Sequence, residues 1–202
     1  MQCSPAIVFD LGKVLLNFDY SVAVRRLLAE SKCTASELLT LINQSPLLAQ
    51  YERGTLTTPA FYEKVREVSG YEGSFEAFKE MFGDIFTPIP EMIQLHADLV
   101  SRGYPVFIFS NTNEMAVDYI RKKFPFFSRF DGYIFSYEHA AMKPEAQLYE
   151  VVEKRSGRRG DKIIYLDDRG ENIEAGRARG WKALVHESPA TTRSWLESML
   201  AA

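Results

Sequence analysis

Pro5-Ala6-Ile7-Val8-Phe9-Asp10 is the first readable element of the chain: five uncharged residues, then a carboxylate. A continuous apolar run of this length suits a β-strand buried on both faces, the habit of strands in parallel sheets. Pro105 to Phe109, Gly132 to Phe135 and Lys162 to Leu166 repeat the pattern, and Lys182 to Val185 is a shorter fifth. Helical stretches separate them. Pro90 opens one whose inner face is Met92, His96, Leu99 and Val100, with Gly103 placed to cap its end. Pro144 opens another, with Leu148, Val151 and Val152 inward and Gly157 closing it. Strand alternating with helix implies crossover units, hence an α/β fold around a mostly parallel sheet.

Residues 17–88 break that rhythm and read as helices throughout. The predicted segments are Tyr20 to Ser31, Ala35 to Gln44, Pro46 to Arg53, Pro59 to Ser69 and Phe75 to Phe82. Phe61, Val65 and Val68 recur at helical spacing behind Thr58 as N-cap and Pro59 at the first helical position. Phe75, Phe78, Met81 and Phe82 form a second apolar face behind Ser74. The expected organisation is an α/β core of residues 1–16 and 89–202 carrying a helical lid of residues 17–88, with Thr87-Pro88-Ile89-Pro90 as the return hinge.

Composition narrows the function. A chain of 202 residues buries roughly 70% of its unfolded surface and needs no metal or disulfide staple to fold. Its net charge of −3 opposes a dedicated nucleic-acid binder, which needs a basic face. The longest apolar runs are strand-sized, so no membrane span is expected. Asp10 interrupts the N-terminal apolar run, and no cationic region precedes it, so no signal peptide is read. Cys3 and Cys33 give no ligand spacing, and His96, His139 and His186 are scattered, which leaves no zinc signature. The expectation is a reduced, cytoplasmic protein.

In open parallel sheets, ligands sit beyond the carboxyl ends of the strands. Those ends carry Asp10, then Ser110-Asn111-Thr112, then Asp167-Asp168, while Lys143 stands just before a helix. Hard carboxylate oxygens suit Mg²⁺, and a lysine with nearby backbone N–H groups suits phosphate. Phe9-Asp10-Leu11-Gly12-Lys13-Val14, Phe109-Ser110-Asn111-Thr112, Lys143-Pro144 and Tyr165-Leu166-Asp167-Asp168 resemble, in order, the four motifs of the haloacid-dehalogenase-like (HAD) hydrolase superfamily. The resemblance spans the chain, since the helical insertion looks like that superfamily's small cap. It implies a Rossmann-like three-layer core.

Roles follow from the resemblance, position by position. Asp10 would be the nucleophile that becomes an aspartyl-phosphate. Ser110 and the backbone of Asn111 would hold the phosphate, and Lys143 would neutralise both phosphate and Asp10. Mg²⁺ would take an oxygen of Asp10, the main-chain carbonyl of Gly12 and Asp168, with Asp167 supporting directly or through water. The implied function is a Mg²⁺-dependent phosphatase of a small phosphorylated metabolite, a sugar phosphate favoured, acting as a monomer or weak homodimer. Dehalogenation or mutase action on the same scaffold, and a silent phospholigand- or partner-binding role, are the alternatives. The pair Asp167-Asp168 argues for metal and against dehalogenation.

One departure stands out. Superfamily phosphatases usually carry a second aspartate two residues after the nucleophile as general acid and base, and here that position is Gly12. The arrangement is similar to a bacterial subgroup that includes sugar-1-phosphate phosphatases, whose leaving groups need less protonic help. Other residues read more plainly. Thr112 fits a helix N-cap as well as a ligand, and Asn172 fits either a steadying contact on the metal loop or first-turn packing. Glu52-Arg53-Gly54 closes a cap helix and resembles a segment common in this cap type; Arg53 there reads either as a group that reaches the substrate or, more plainly, as a solvated C-terminal cation. His139 reads as an exposed loop residue. Lys154, Arg155, Arg158 and Arg159 read as helix-end cations, and Phe124, Phe126, Phe127 and Phe130 as anchors of their loop.

Overall fold

The computed structural model describes residues 4–43 and 45–201. Cys3 and Gln44, the predicted end of the second helix, lie outside the described residues. Strand β1 (Ala6–Phe9) and a short strand β2 (Leu16–Phe18) lead into α1 (Tyr20–Leu28), α2 (Ala35–Asn43), α3 (Pro46–Glu52), α4 (Thr58–Ser69) and α5 (Phe75–Gly83). The chain returns through β3 (Phe86–Pro88) to α6 (Pro90–Ser101), β4 (Val106–Ser110), α7 (Glu114–Lys123) and β5 (Gly132–Phe135). It ends with α8 (Ala146–Ser156), β6 (Ile163–Asp167), α9 (Gly170–Ala178), β7 (Lys182–Val185) and α10 (Pro189–Ala201). Among the described residues no helix is long and apolar enough to cross a membrane.

The large sheet has the order β5-β4-β1-β6-β7, and every pairing in it is parallel. Central β1 explains its own sequence. Ile7 and Phe9 pack on one face with Met92, Leu95 and Leu99 of α6, while Ala6 and Val8 pack on the other with Leu148 and Val152 of α8. All four β1 side chains are fully buried. Burying each larger one is worth about 1.5–3 kcal/mol.

The insert has its own apolar cluster, in which Phe61, Val65 and Phe78 are fully buried. Its helices start at side-chain caps: Asp19 accepts from Ser21 N–H, Ser45 from Leu47, Thr57 from Ala60 and Ser74 from Ala77. Each cap contributes about 1 kcal/mol. The cap of α4 is thus Thr57 rather than Thr58, whose hydroxyl is turned inward to Tyr51 and Glu114 instead. Val68 is also not inward: it is 60% exposed, and Ser69 is buried in its place. Ser31 Oγ and Lys32 N–H both donate to the Ser69 carbonyl, which turns that end of the helix toward the α1–α2 loop.

Two further readings need correction. The segment leaving and re-entering the core is not wholly helix and hinge, since β2 and β3 pair antiparallel, Leu16 opposite Pro88 and Phe18 opposite Phe86. Three-residue strands carry too little alternation to be read from sequence. Pro144 does not open α8. Glu145 N–H donates to the Met142 carbonyl at 2.7 Å, closing a turn, and the helix begins at Ala146.

Candidate active site

Asp10 leaves β1 held by its own backbone, its N–H donating to the Leu166 carbonyl at 2.8 Å. One side-chain oxygen accepts from Leu11 N–H at 2.7 Å. The chain then turns sharply. Lys13 sits at φ +61°, where side chains are disfavoured, and its N–H donates to the Leu16 carbonyl at 2.7 Å. Among the described residues, the loop's backbone hydrogen bonds end on the carbonyls of Leu11 and Leu16, and none ends on that of Gly12. A Cβ on Gly12 would meet Phe18 Cε1 at 2.9 Å, so the space beside this residue belongs to an aromatic ring.

Lys143 comes to the same point from the far side of β4. The Asn111 side chain clamps its backbone twice, donating to its carbonyl at 3.1 Å and accepting from its N–H at 2.8 Å. The lysine side chain is 1% exposed, with Nζ 3.0 Å from Asp10 Oδ1, 2.6 Å from Asp167 Oδ2 and 2.9 Å from the Phe109 carbonyl. Asp167 is fully buried behind it and also accepts from Tyr165 Oη, Asn172 Nδ2 at 3.0 Å and Arg169 N–H at 2.8 Å.

These neighbours divide the carboxylates. Burial opposes the charge on Asp167, yet Lys143 and the converging donors hold its carboxyl below the usual range. Burial pushes the Asp10 carboxyl up to about 7, against the pull of Lys143 and with the Asp167 charge adding. Asp168, half-buried, is pushed up by burial and then by Asp167. Burial would lower Lys143, but its two carboxylates raise it. Oxygens of Asp10, Asp167 and Asp168 lie within 4.8 Å of one another, and one ammonium contacts the first two. Two such charges about 4 Å apart repel by roughly 4 kcal/mol even at a dielectric of 20.

The site is short of positive charge, and its donors are hard oxygens. Asn172 Oδ1, on the same wall, is buried with no partner among the described residues. Such a set fits a divalent cation of the magnesium kind.

Above it lies a cavity of about 280 Å³. Asp10, Gly12, Ser110, Asn111, Lys143 and Asp168 line the core side, and Phe18, Tyr20, Leu48 and Glu52 line the side of the insert. Of the residues at the strand ends, Asp10, Ser110, Asn111 and Asp168 therefore meet here, with Asp167 just below the surface, while Thr112 does not line the cavity. A model of haloacid dehalogenase-like hydrolases matches residues 5–180. The chain belongs to that family.

The relatives of this hydrolase span its length. It is 24% identical over 201 residues to a D-ribitol-5-phosphate phosphatase of Bacteroides thetaiotaomicron, covering 96% of this chain and 97% of that one. It is 28% identical over 181 residues to a sesquiterpene phosphatase of Aspergillus oryzae, covering 89% and 88%. In fold it matches a HAD-family enzyme of Bacteroides thetaiotaomicron, solved with magnesium and inorganic phosphate, at TM-score 0.81 and 21% identity. That match covers 92% of this chain and 95% of the other.

Several residues of this hydrolase take places that the sequence left open. Asn172 donates to Asp167, so it steadies that carboxylate. Asn113, not Thr112, caps α7. His139 is half-buried, its Nε2 unpartnered among the described residues, and it does not line the cavity. Arg53 is not simply solvated: its guanidinium grips both carboxylate oxygens of Glu145, two residues beyond Lys143.

Glu52, Phe18, Tyr20 and Leu48 were missed as cavity residues. Their positions depend on how the insert docks. The one local signal was Gly54, at φ +76°, where a Cβ would stand 2.0 Å from the Tyr137 carbonyl oxygen. Gly54→Ala is expected to cost well over ~1 kcal/mol, because it adds both a strained φ and a clash between insert and core. Urea unfolding measures this, and an unchanged midpoint would mean that the contact is loose.

Proposed function

We propose that this hydrolase is a Mg²⁺-dependent phosphatase of small phosphorylated metabolites, sugar or polyol phosphates favoured, working through an aspartyl-phosphate on Asp10. The observation that carries the reading is the buried contact of Lys143 with Asp10 and Asp167 at the floor of a cavity that also holds Asp168. The named phosphatase relatives support it.

Lys143 favours the charged form of the Asp10 carboxyl and aims it, and draws phosphate oxygens toward it. The Ser110 hydroxyl and the Asn111 N–H donate to the same phosphate. An Asp10 oxygen forms the new bond to phosphorus as the ester oxygen leaves, and water then cleaves the acyl phosphate to release phosphate and restore the carboxylate. Asp10, Asp168 and the Gly12 carbonyl would hold Mg²⁺, with Asp167 behind them. When bound, the ion neutralises charge on the phosphoryl oxygens. Positioning and charge neutralisation supply most of the catalysis in phosphoryl transfer.

Residues 17–88 act in this reading as a lid that bounds substrate size and excludes water, over a core of residues 1–16 and 89–202. The enzyme works in the cytoplasm as a monomer or weak homodimer, with no nucleic-acid or membrane partner. Its acidic net charge of −3 supports the nucleic-acid exclusion. A panel of sugar, polyol and aryl phosphates tests the proposal. Phosphate release is expected with Mg²⁺, lost with a chelator and recovered when Mg²⁺ returns. No release from any ester in the presence of Mg²⁺ would leave a binding protein instead.

A further inference from the structure

Phosphoryl transfer to Asp10 leaves an alkoxide unless something protonates it, and position 12 offers no acid. Nor is there room for one there without displacing the Phe18 ring. That ring is itself packed edge-on against Tyr20 and Phe86. The cavity does hold one acid that comes from outside the core. Glu52, the last residue of α3, lines it together with Asp10 and Gly12.

Its backbone is fixed at three neighbouring points. Ser136 Oγ donates to the Glu52 carbonyl at 2.6 Å. Arg53 is paired to Glu145, and Gly54 abuts the Tyr137 carbonyl. Among the described residues, by contrast, the Glu52 carboxyl makes no hydrogen bond and no ion pair. A half-buried carboxyl on an anchored backbone, facing a reaction site with its donor capacity unspent, has the features of a proton-transfer group. The competing groups are engaged elsewhere. Lys13 Nζ lies 4.6 Å above the Phe18 ring and donates to the Phe18 carbonyl, and Arg169 is paired with Glu171. Burial, together with the Glu52 charge, makes Tyr20 a still weaker acid than a free phenol.

We infer that Glu52 donates the proton to the leaving oxygen, taking the place of the acid absent at position 12; the assignment rests on the phosphatase reading above. As the P–O ester bond breaks and Asp10 bonds to phosphorus, the Glu52 proton passes to the departing oxygen and frees an alcohol. The resulting carboxylate then takes a proton from the water that attacks the aspartyl-phosphate, which restores both groups. Burial, with the nearby Asp10 charge adding and Arg169 opposing, pushes the Glu52 carboxyl up to about 7, so a protonated fraction persists near neutrality.

The test is a single-turnover measurement of alcohol release from a short alkyl phosphate and a graded aryl series, for wild type and Glu52→Gln with Mg²⁺. Wild type should depend only weakly on leaving-group basicity. Its alkyl-ester rate should fall as pH rises past the Glu52 pKa. Glu52→Gln should lose about 10²–10⁴-fold on the alkyl ester and little on dinitrophenyl phosphate, and should lack the alkaline limb. Retained turnover of the dinitrophenyl ester also certifies the variant's fold. An equal loss across the series, or none, overturns the assignment. So does a steep leaving-group dependence in wild type, which needs no variant at all. Wild type inert toward every ester would instead overturn the phosphatase reading, and Glu52 with it.

Discussion

Asp10→Asn is expected to lower turnover of even an activated aryl phosphate by about 10⁴-fold or more, the scale on which removal of a covalent nucleophile is felt. The amide keeps the shape of the side chain but cannot form the acyl phosphate, and it removes one of the carboxylates around the proposed metal. The fold should survive. Lys143 keeps its contact with Asp167, and the change removes a charge that the site holds with difficulty. Because burial raises the Asp10 pKa in the folded chain, the native state keeps a proton there that the unfolded chain has already released. Stability from this group therefore declines as pH rises from the ordinary carboxylate range through about 7. In chelator, Asp10→Asn should thus match wild type in acid and melt higher at pH 8. Thermal melts at both ends, beside the rate assay, check the pair of results. Near-normal turnover in the variant would remove Asp10 as nucleophile.

Lys143→Met is expected to damage both stability and chemistry. Nζ is the partner of two buried carboxylates, and methionine fills the volume without the charge. Removing one partner from a buried ionic contact costs about 3–5 kcal/mol, since the other is left uncompensated. Loss of one fixed positive group at the phosphate adds about 10²–10³-fold in rate. The two costs separate experimentally. Urea unfolding reads the first, and kcat/KM at a temperature where the variant is fully folded reads the second. Combining Lys143→Met with Asp10→Asn should cost less stability than the sum of the two, because the repulsion left behind by the lysine has lost one member. Strict additivity would mean that the three side chains do not act as one charge cluster.

Much of this molecule can be read from local sequence. The core strands are continuous apolar runs because both faces of a central parallel strand are covered, as Ala6 to Phe9 illustrate. Such a run needs no knowledge of its partners to be recognised. The crossover order then places each strand's carboxyl end on one edge, which is why Asp10, Ser110, Asn111, Asp167 and Asp168 could be grouped before any distance was known. The helix start behind Ser74 was legible for the same reason, since Ser74 caps an N–H group three residues away, well within local reach.

What stayed hidden rests on contacts between segments far apart in the chain. Thr58 looked like a cap by its position before Pro59, but a tyrosine seven residues back and a glutamate 56 residues ahead claim its hydroxyl. The β2–β3 ribbon joins residues about 70 positions apart through too few side chains to leave a periodic trace. Glu52 is the sharpest case. Its neighbours in sequence make it one more polar residue at a helix end. Its nearness to Asp10 arises only when the insert docks on the core through Ser136, Glu145 and the Tyr137 carbonyl. Burial periodicity and strand order are properties of short stretches, so the sequence alone identifies the fold and the core half of the site. The half contributed by the insert is set by the docking of one surface on another, a long-range event that no short stretch encodes.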